Sequence, residues 1–72
     1  MGKIILRNIE GERVRHGLSR NEVSTELGIT PKTYWNWIHG VTEIPSGKLI
    51  QMSRMWKKSV DFLLEIYEDE TS

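Results

Sequence analysis

Lys32, Asn36 and His39 recur at i, i+4 and i+7 in the segment that opens at Pro31. At ~100° per residue they share one side of a helix, with Thr33 and Trp35 flanking them. An ammonium that donates, a carboxamide that both donates and accepts, and an imidazole can together make directional hydrogen bonds. Bond-breaking chemistry needs more, either converging titratable groups or a cradle for phosphate. His16 and His39 lie far apart in the pattern with no second ligand at metal spacing. The chain has no cysteine, and no Gly-rich loop follows a strand. The residues point to recognition, and neither an enzyme nor a metal or cofactor protein is expected.

The elements that must position this set are legible from their punctuation. Thr30 can cap a helix and Pro31 fits its first position, where a missing N–H costs nothing and φ is already helical. Gly40 can take the left-handed conformation that ends it, which gives a rod of roughly 13 Å at ~1.5 Å per residue. Tyr34, Trp37 and Ile38 fall on the side that packs. Before it, Ser19 and Glu22 form a capping box, Val23 and Leu27 an apolar stripe with Ser24 small enough for close approach, and Gly28 a stop. Only Gly28, Ile29 and Thr30 part the two helices, and a turn that short imposes a crossing of about 90–120°.

The set Arg13, Gly17-Leu18-Ser19, Glu22-Val23-Ser24, Leu27-Gly28-Ile29-Thr30, Gly40, Ile44-Pro45-Ser46 and Ser59-Val60-Asp61-Phe62-Leu63-Leu64 resembles the Cro/phage-repressor family. This helix-turn-helix family is also called the xenobiotic-response-element family of bacterial and phage regulators. The likeness covers residues 8 to 66. It implies an all-α, lambda-repressor-like fold of five short helices around one core, with the helix-turn-helix formed by the second and third. It also implies that Pro31, Lys32, Thr33 and Asn36 read base edges. Lys can donate to guanine O6 and N7 and Asn can pair with adenine N6 and N7, each worth ~1–3 kcal/mol of discrimination, while Pro31 offers apolar contact to a thymine methyl. Family members often carry Gln where Arg20 stands, so Arg20 is expected on a phosphate or a guanine. Ser19, Thr42 and the N–H groups at helix ends are expected phosphate clamps, and His39 a flanking contact. Trp35, a large ring on the outward face, needs a partner in a groove wall, a sugar or a protein. The family pairs an Arg at the position of Arg13 with a Glu near the end of the recognition helix. That position is Ile38 here, which leaves Arg13 to find Glu12, Glu10 or solvent.

The rest of the chain is read around this pair. Ile4-Ile5-Leu6 is a short apolar run in an arm over residues 1–7, which either seals the bottom of the core or pairs with a second subunit. The domain proper spans 8–67. Asn8 is the expected cap of a first helix from Ile9 to about His16, closed by Gly17 with Leu18 packing after it. Val41 to Pro45 is a loop. Ser46 is the expected cap of a fourth helix, with Leu49, Met52, Ser53 and Trp56 at helical spacing. Ser59 caps a fifth, in which Val60, Leu63, Leu64 and Tyr67 make one apolar stripe and Phe62 and Ile66 a second. Residues 68–72 read as a solvated acidic tail.

At 72 residues with no cysteine, stability must come from packing, to which three Trp, two Tyr and one Phe bring large apolar area. No apolar run approaches the ~20 residues of a membrane span, and no signal peptide is present, so a cytoplasmic protein with no membrane partner is expected. The net charge of +0 argues against phosphate-driven binding. The distribution softens that objection, because residues 1–40 hold six Lys and Arg against four acids and residues 41–72 the reverse.

These features read as a sequence-specific double-stranded DNA-binding transcriptional regulator, a repressor of phage or mobile-element type without a small-molecule ligand. One such module buries only ~600–1,000 Å². A homodimer on a two-fold operator is therefore expected, with Phe62, Ile66 and Tyr67 at its interface and the Ile4-Ile5-Leu6 arm as the second choice. The rival reading is a protein-interaction module, antitoxin-like or antirepressor-like, that acts through its helical surface.

Overall fold

The computed structural model describes residues 4–66. Among them run five helices and no strand: α1 (Arg7–Arg15), α2 (Arg20–Leu27), α3 (Pro31–Ile38), α4 (Ser46–Trp56) and α5 (Val60–Leu63). The caps expected for α2 and α3 are made. Ser19 Oγ accepts from the Glu22 N–H at 3.0 Å, and the Ser19 N–H donates to Glu22 Oε1 at 2.7 Å. Thr30 Oγ1 accepts from the Thr33 N–H at 3.1 Å, with Pro31 opening the helix. Gly28 closes α2 at φ 70°, and Gly40 follows α3 at φ 74°. Gly40 is needed on two counts, since a Cβ there would also stand 3.3 Å from Ile5 Cγ1.

Two starts differ from expectation. α1 begins at Arg7, with Leu6 in the cap position and no side-chain cap, so Asn8 is not the N-cap. Its side chain is drawn across the fold, where Nδ2 donates to Phe62 O at 2.8 Å and to Glu65 Oε1 at 3.2 Å. The chain before it is fixed instead by Ile5 and Leu6, whose N–H groups both donate to Ile38 O, at 2.9 and 3.2 Å. Likewise Pro45, not Ser46, holds the cap position of α4, and no side chain caps that end. α4 is anchored by its first two turns. Lys48 Nζ donates to Leu27 O and Gln51 Nε2 to Glu26 O, so a cation and an amide satisfy the last carbonyls of α2.

The core joins Leu6 and Ile9, Val23 and Leu27 of α2, Tyr34, Trp37 and Ile38 of α3, Met52 and Trp56 of α4, and Leu63 of α5. The arm thus contributes to the core, with Leu6 buried and Ile5 packed against it, while Ile4 remains 36% exposed. α5 corrects a larger expectation. It is a single turn that ends at Leu63, so no helix carries Leu64 and Ile66 in two parallel stripes. Phe62 packs partly on the core, with the Lys58 ammonium 5.3 Å from its ring centre, whereas Leu64 and Ile66 are 39% and 55% exposed. Those two side chains line an open, mainly apolar groove of about 370 Å³, together with Ile5, Trp37, Gly40, Thr42 and Ile44. Tyr67 and the acidic run 68–72 lie outside the described residues. No described helix is long and apolar enough to cross a membrane.

Candidate nucleic-acid interface

α3 is held by its inward face, and the hold is polar as well as apolar. Tyr34 is almost fully buried, and its hydroxyl donates to Glu10 Oε2 at 2.6 Å. Glu10 also receives Arg13 through Nε and Nη2, both at 3.1 Å, while Arg13 Nη1 donates to Leu18 O at 2.6 Å. This settles the partner of Arg13. It is Glu10, one turn back on α1, and the carboxylate that a glutamate near the end of α3 would have supplied comes from α1 instead. Glu12 is buried under Arg15 and His16, at 3.6 and 3.8 Å, and its Oε1 has no hydrogen bond.

The charges of this cluster follow from its contacts. Burial by itself would raise the Glu10 pKa. Hydrogen bonds from Arg13 and Tyr34, with the charges of Arg13 and Arg20, outweigh burial and hold the carboxyl below its usual range. The Tyr34 phenol is pushed far upward, first by burial and then by its bond to the Glu10 carboxylate, so it remains a neutral donor. The Arg13 guanidinium is raised chiefly by its hydrogen bond to Glu10. Glu10 is a hub that the residue pattern alone does not reveal. The available signal was a tyrosine at an inward α3 position, because a buried phenol requires an acceptor.

The outward face carries a stacked ladder. The Trp35 and His39 rings lie 4.0 Å apart at 22°, and Lys32 Nζ sits 5.1 Å from the Trp35 ring centre. His39 Nδ1 faces Trp35 O at 2.9 Å. A carbonyl only accepts, so Nδ1 is the donor in this contact. Trp35 therefore has partners within its own helix, and its ring holds Lys32 and His39 in place. Pro31 and Lys32 are exposed and Thr33 and Asn36 partly so; Thr33 Oγ1 shares a hydrogen bond with Thr30 Oγ1 at 3.0 Å. The Asn36 carboxamide makes no hydrogen bond among the described residues, although its backbone carbonyl accepts from the N–H groups of Val41 and Thr42.

The flanking residues divide. Arg20 begins α2 with its side chain 55% exposed and Nη2 3.4 Å from Glu10 Oε1. Ser19 is engaged by Glu22 through both hydroxyl and N–H, so its hydroxyl proton is what it has left to offer a ligand. Thr42 is exposed and lines the apolar groove that Ile66 also lines. Pro31, Lys32, Thr33 and Asn36 thus share one short helix, with Arg20 on the helix packed against it. Phe62 and Ile66 belong to the other end of the chain.

A helix whose inner face is sealed and whose outer face presents an ammonium, hydroxyl and carboxamide is suited to reading hydrogen-bonding edges in a groove. Comparison with curated proteins and with solved structures gives no match. A family model described as helix-turn-helix, of the Cro/C1 type, matches residues 9–63, which is most of the chain and spans all five helices from early α1. The chain belongs to this helix-turn-helix family and is a DNA-binding transcriptional regulator.

Proposed function

We propose that this chain is a repressor of phage or mobile-element type that reads a specific duplex operator with α3. One observation carries the reading. The outward face of α3 holds donors and acceptors that the fold does not use, above all the Asn36 carboxamide, while Tyr34, Trp37 and Ile38 lock the opposite face into the core. Lys32 and Asn36 are the base readers, with Pro31 and Thr33 beside them. Arg20, Ser19, Thr42 and His39 lie at the backbone, and Trp35 acts as the plate on which Lys32 and His39 rest.

Affinity from one neutral module is limited, so the operator is two-fold and the protein acts as a homodimer. The exposed Leu64 and Ile66 beside Phe62 supply apolar surface for that contact. The experiment is selection of bound sequences from a random duplex pool, followed by titration of the selected duplex at several salt concentrations. A steep loss of affinity with salt and a symmetric selected site are expected. Asn36→Ala should weaken binding by ~1–3 kcal/mol and relax one base position. Flat salt dependence with no enriched sequence would instead favour the protein-interaction reading.

A further inference from the structure

Arg20 places one guanidinium nitrogen 3.4 Å from Glu10 Oε1 while more than half of its side chain stays in solvent. Glu10 is the fixed member of that pair. Its side chain is 12% exposed and is already gripped by Arg13 and by the Tyr34 hydroxyl. The arithmetic of charge then decides what the contact can do. Arg13 by itself balances Glu10, so the cluster of one carboxylate and two guanidiniums keeps a net positive charge, and that charge sits on exposed Arg20. A guanidinium presents its donors in a rigid planar fork, so a single bond to Glu10 orients the plane and leaves the remaining edges open to a pair of phosphate oxygens. The contact restricts a long, rotamer-rich side chain whose ordering otherwise opposes association.

We propose that Glu10 is a positioning residue for DNA binding: held on α1 by Arg13 and Tyr34, it aims the Arg20 guanidinium at a backbone phosphate beside the start of α2. The inference rests on reading α3 and the start of α2 as the DNA-facing surface. It makes an acidic residue favourable to binding a polyanion, which a count of charges alone would not anticipate.

The test is a double-mutant cycle, read as anisotropy titrations of the selected duplex in about 0.1 M salt, with wild type, Glu10→Gln, Arg20→Ala and the double variant. Glu10→Gln should weaken binding about 2- to 10-fold, the cost of ordering one side chain. It should have no effect when Arg20 is already Ala, and the selected sequence should not change, because phosphates carry no base identity. Arg20→Lys leaves the bonds of Arg13 and Tyr34 to Glu10 in place and keeps the charge but not the fork. It should bind about 2- to 10-fold more weakly with an unchanged melting curve, so the proposal stays testable even if Glu10→Gln folds poorly. Binding by Glu10→Gln equal to or tighter than wild type would overturn the proposal, the tighter case marking Glu10 as an electrostatic brake. An equal loss in the Arg20→Ala background, or wild-type affinity for Arg20→Lys, would overturn it as well. A wild type without salt-dependent DNA binding would instead bring down the reading of the surface itself.

Discussion

α2 and α4 are both short helices that end on a left-handed residue, yet they are delimited in different ways. α2 starts with a reciprocal capping box and ends on Gly28, and α3 follows with Thr30, Pro31 and Gly40. α4 starts at Pro45 without a side-chain cap and ends on Lys57 at φ 55°, a conformation that a residue with a Cβ adopts at a cost. The first pair carries its own boundaries. α5 likewise has a cap of its own, Ser59 Oγ accepting from the Phe62 N–H, whereas the start of α4 has none and the helix is held to α2 through Lys48 and Gln51 on the carbonyls of Leu27 and Glu26. The crossing that aims α3 is thus written in local signals, whereas α4 behind it is set against α2 by contacts distant in sequence.

The contrast concerns where helices begin and end; it does not make the pair independent of the core, and the largest expected effect tests that. Trp37→Ala should destabilise the domain by ~3–5 kcal/mol in a urea titration, a large share of the ~5–15 kcal/mol typical of a folded domain. A melt near wild type would show that the caps alone sustain α3.

Next comes the polar hold. Tyr34→Phe removes a donor to a buried carboxylate and should cost ~1.5–3 kcal/mol by the same titration. The folded protein binds the Glu10 proton more weakly than the unfolded chain does. Its stabilising contribution is therefore complete above the ordinary carboxyl range near ~4.3 and is lost as pH falls through the lower folded value. Glu10→Gln should accordingly flatten the acid limb of stability against pH, and an unchanged limb would show that other carboxyls dominate it.

A matched pair of cap deletions addresses the comparison directly. Ser19→Ala should cost ~1 kcal/mol and Ser46→Ala close to nothing, since only the first serine accepts an N–H of its own helix. Equal losses in thermal melts would erase the distinction. The smallest effect has the opposite sign. Lys57→Gly should raise stability by ~0.5–1 kcal/mol, because glycine reaches positive φ without steric cost. No gain there would mean that α4 ends as comfortably as α2.

What could be read in advance follows the same division. The extent of α2 and α3, the inward set Tyr34, Trp37 and Ile38, and the outward set Lys32, Thr33 and Asn36 were legible because capping residues, Pro, Gly and helical period act within a few positions. Asn8 and Ser46 are good caps by type and so point to starts for α1 and α4 that differ from those observed. Asn8 has a stronger use across the fold and Ser46 sits one residue inside its helix. The apolar pattern overextends α5, since apolar residues continue through Ile66 while the helix stops at Leu63. Glu10 escaped notice because its role depends on Tyr34, Arg13 and Arg20 meeting in three dimensions.

The bond from Asn8 to Phe62 O spans 54 positions and has a kinetic meaning. A four-residue helix cannot persist by itself, since nucleating one turn is unfavourable without further contacts. α5 therefore persists only while it is packed on α1 and α4, so its amide protons should exchange with solvent faster once either contact is lost. The first and last helices are thus tied to each other, with the helix-turn-helix lying between them in the chain.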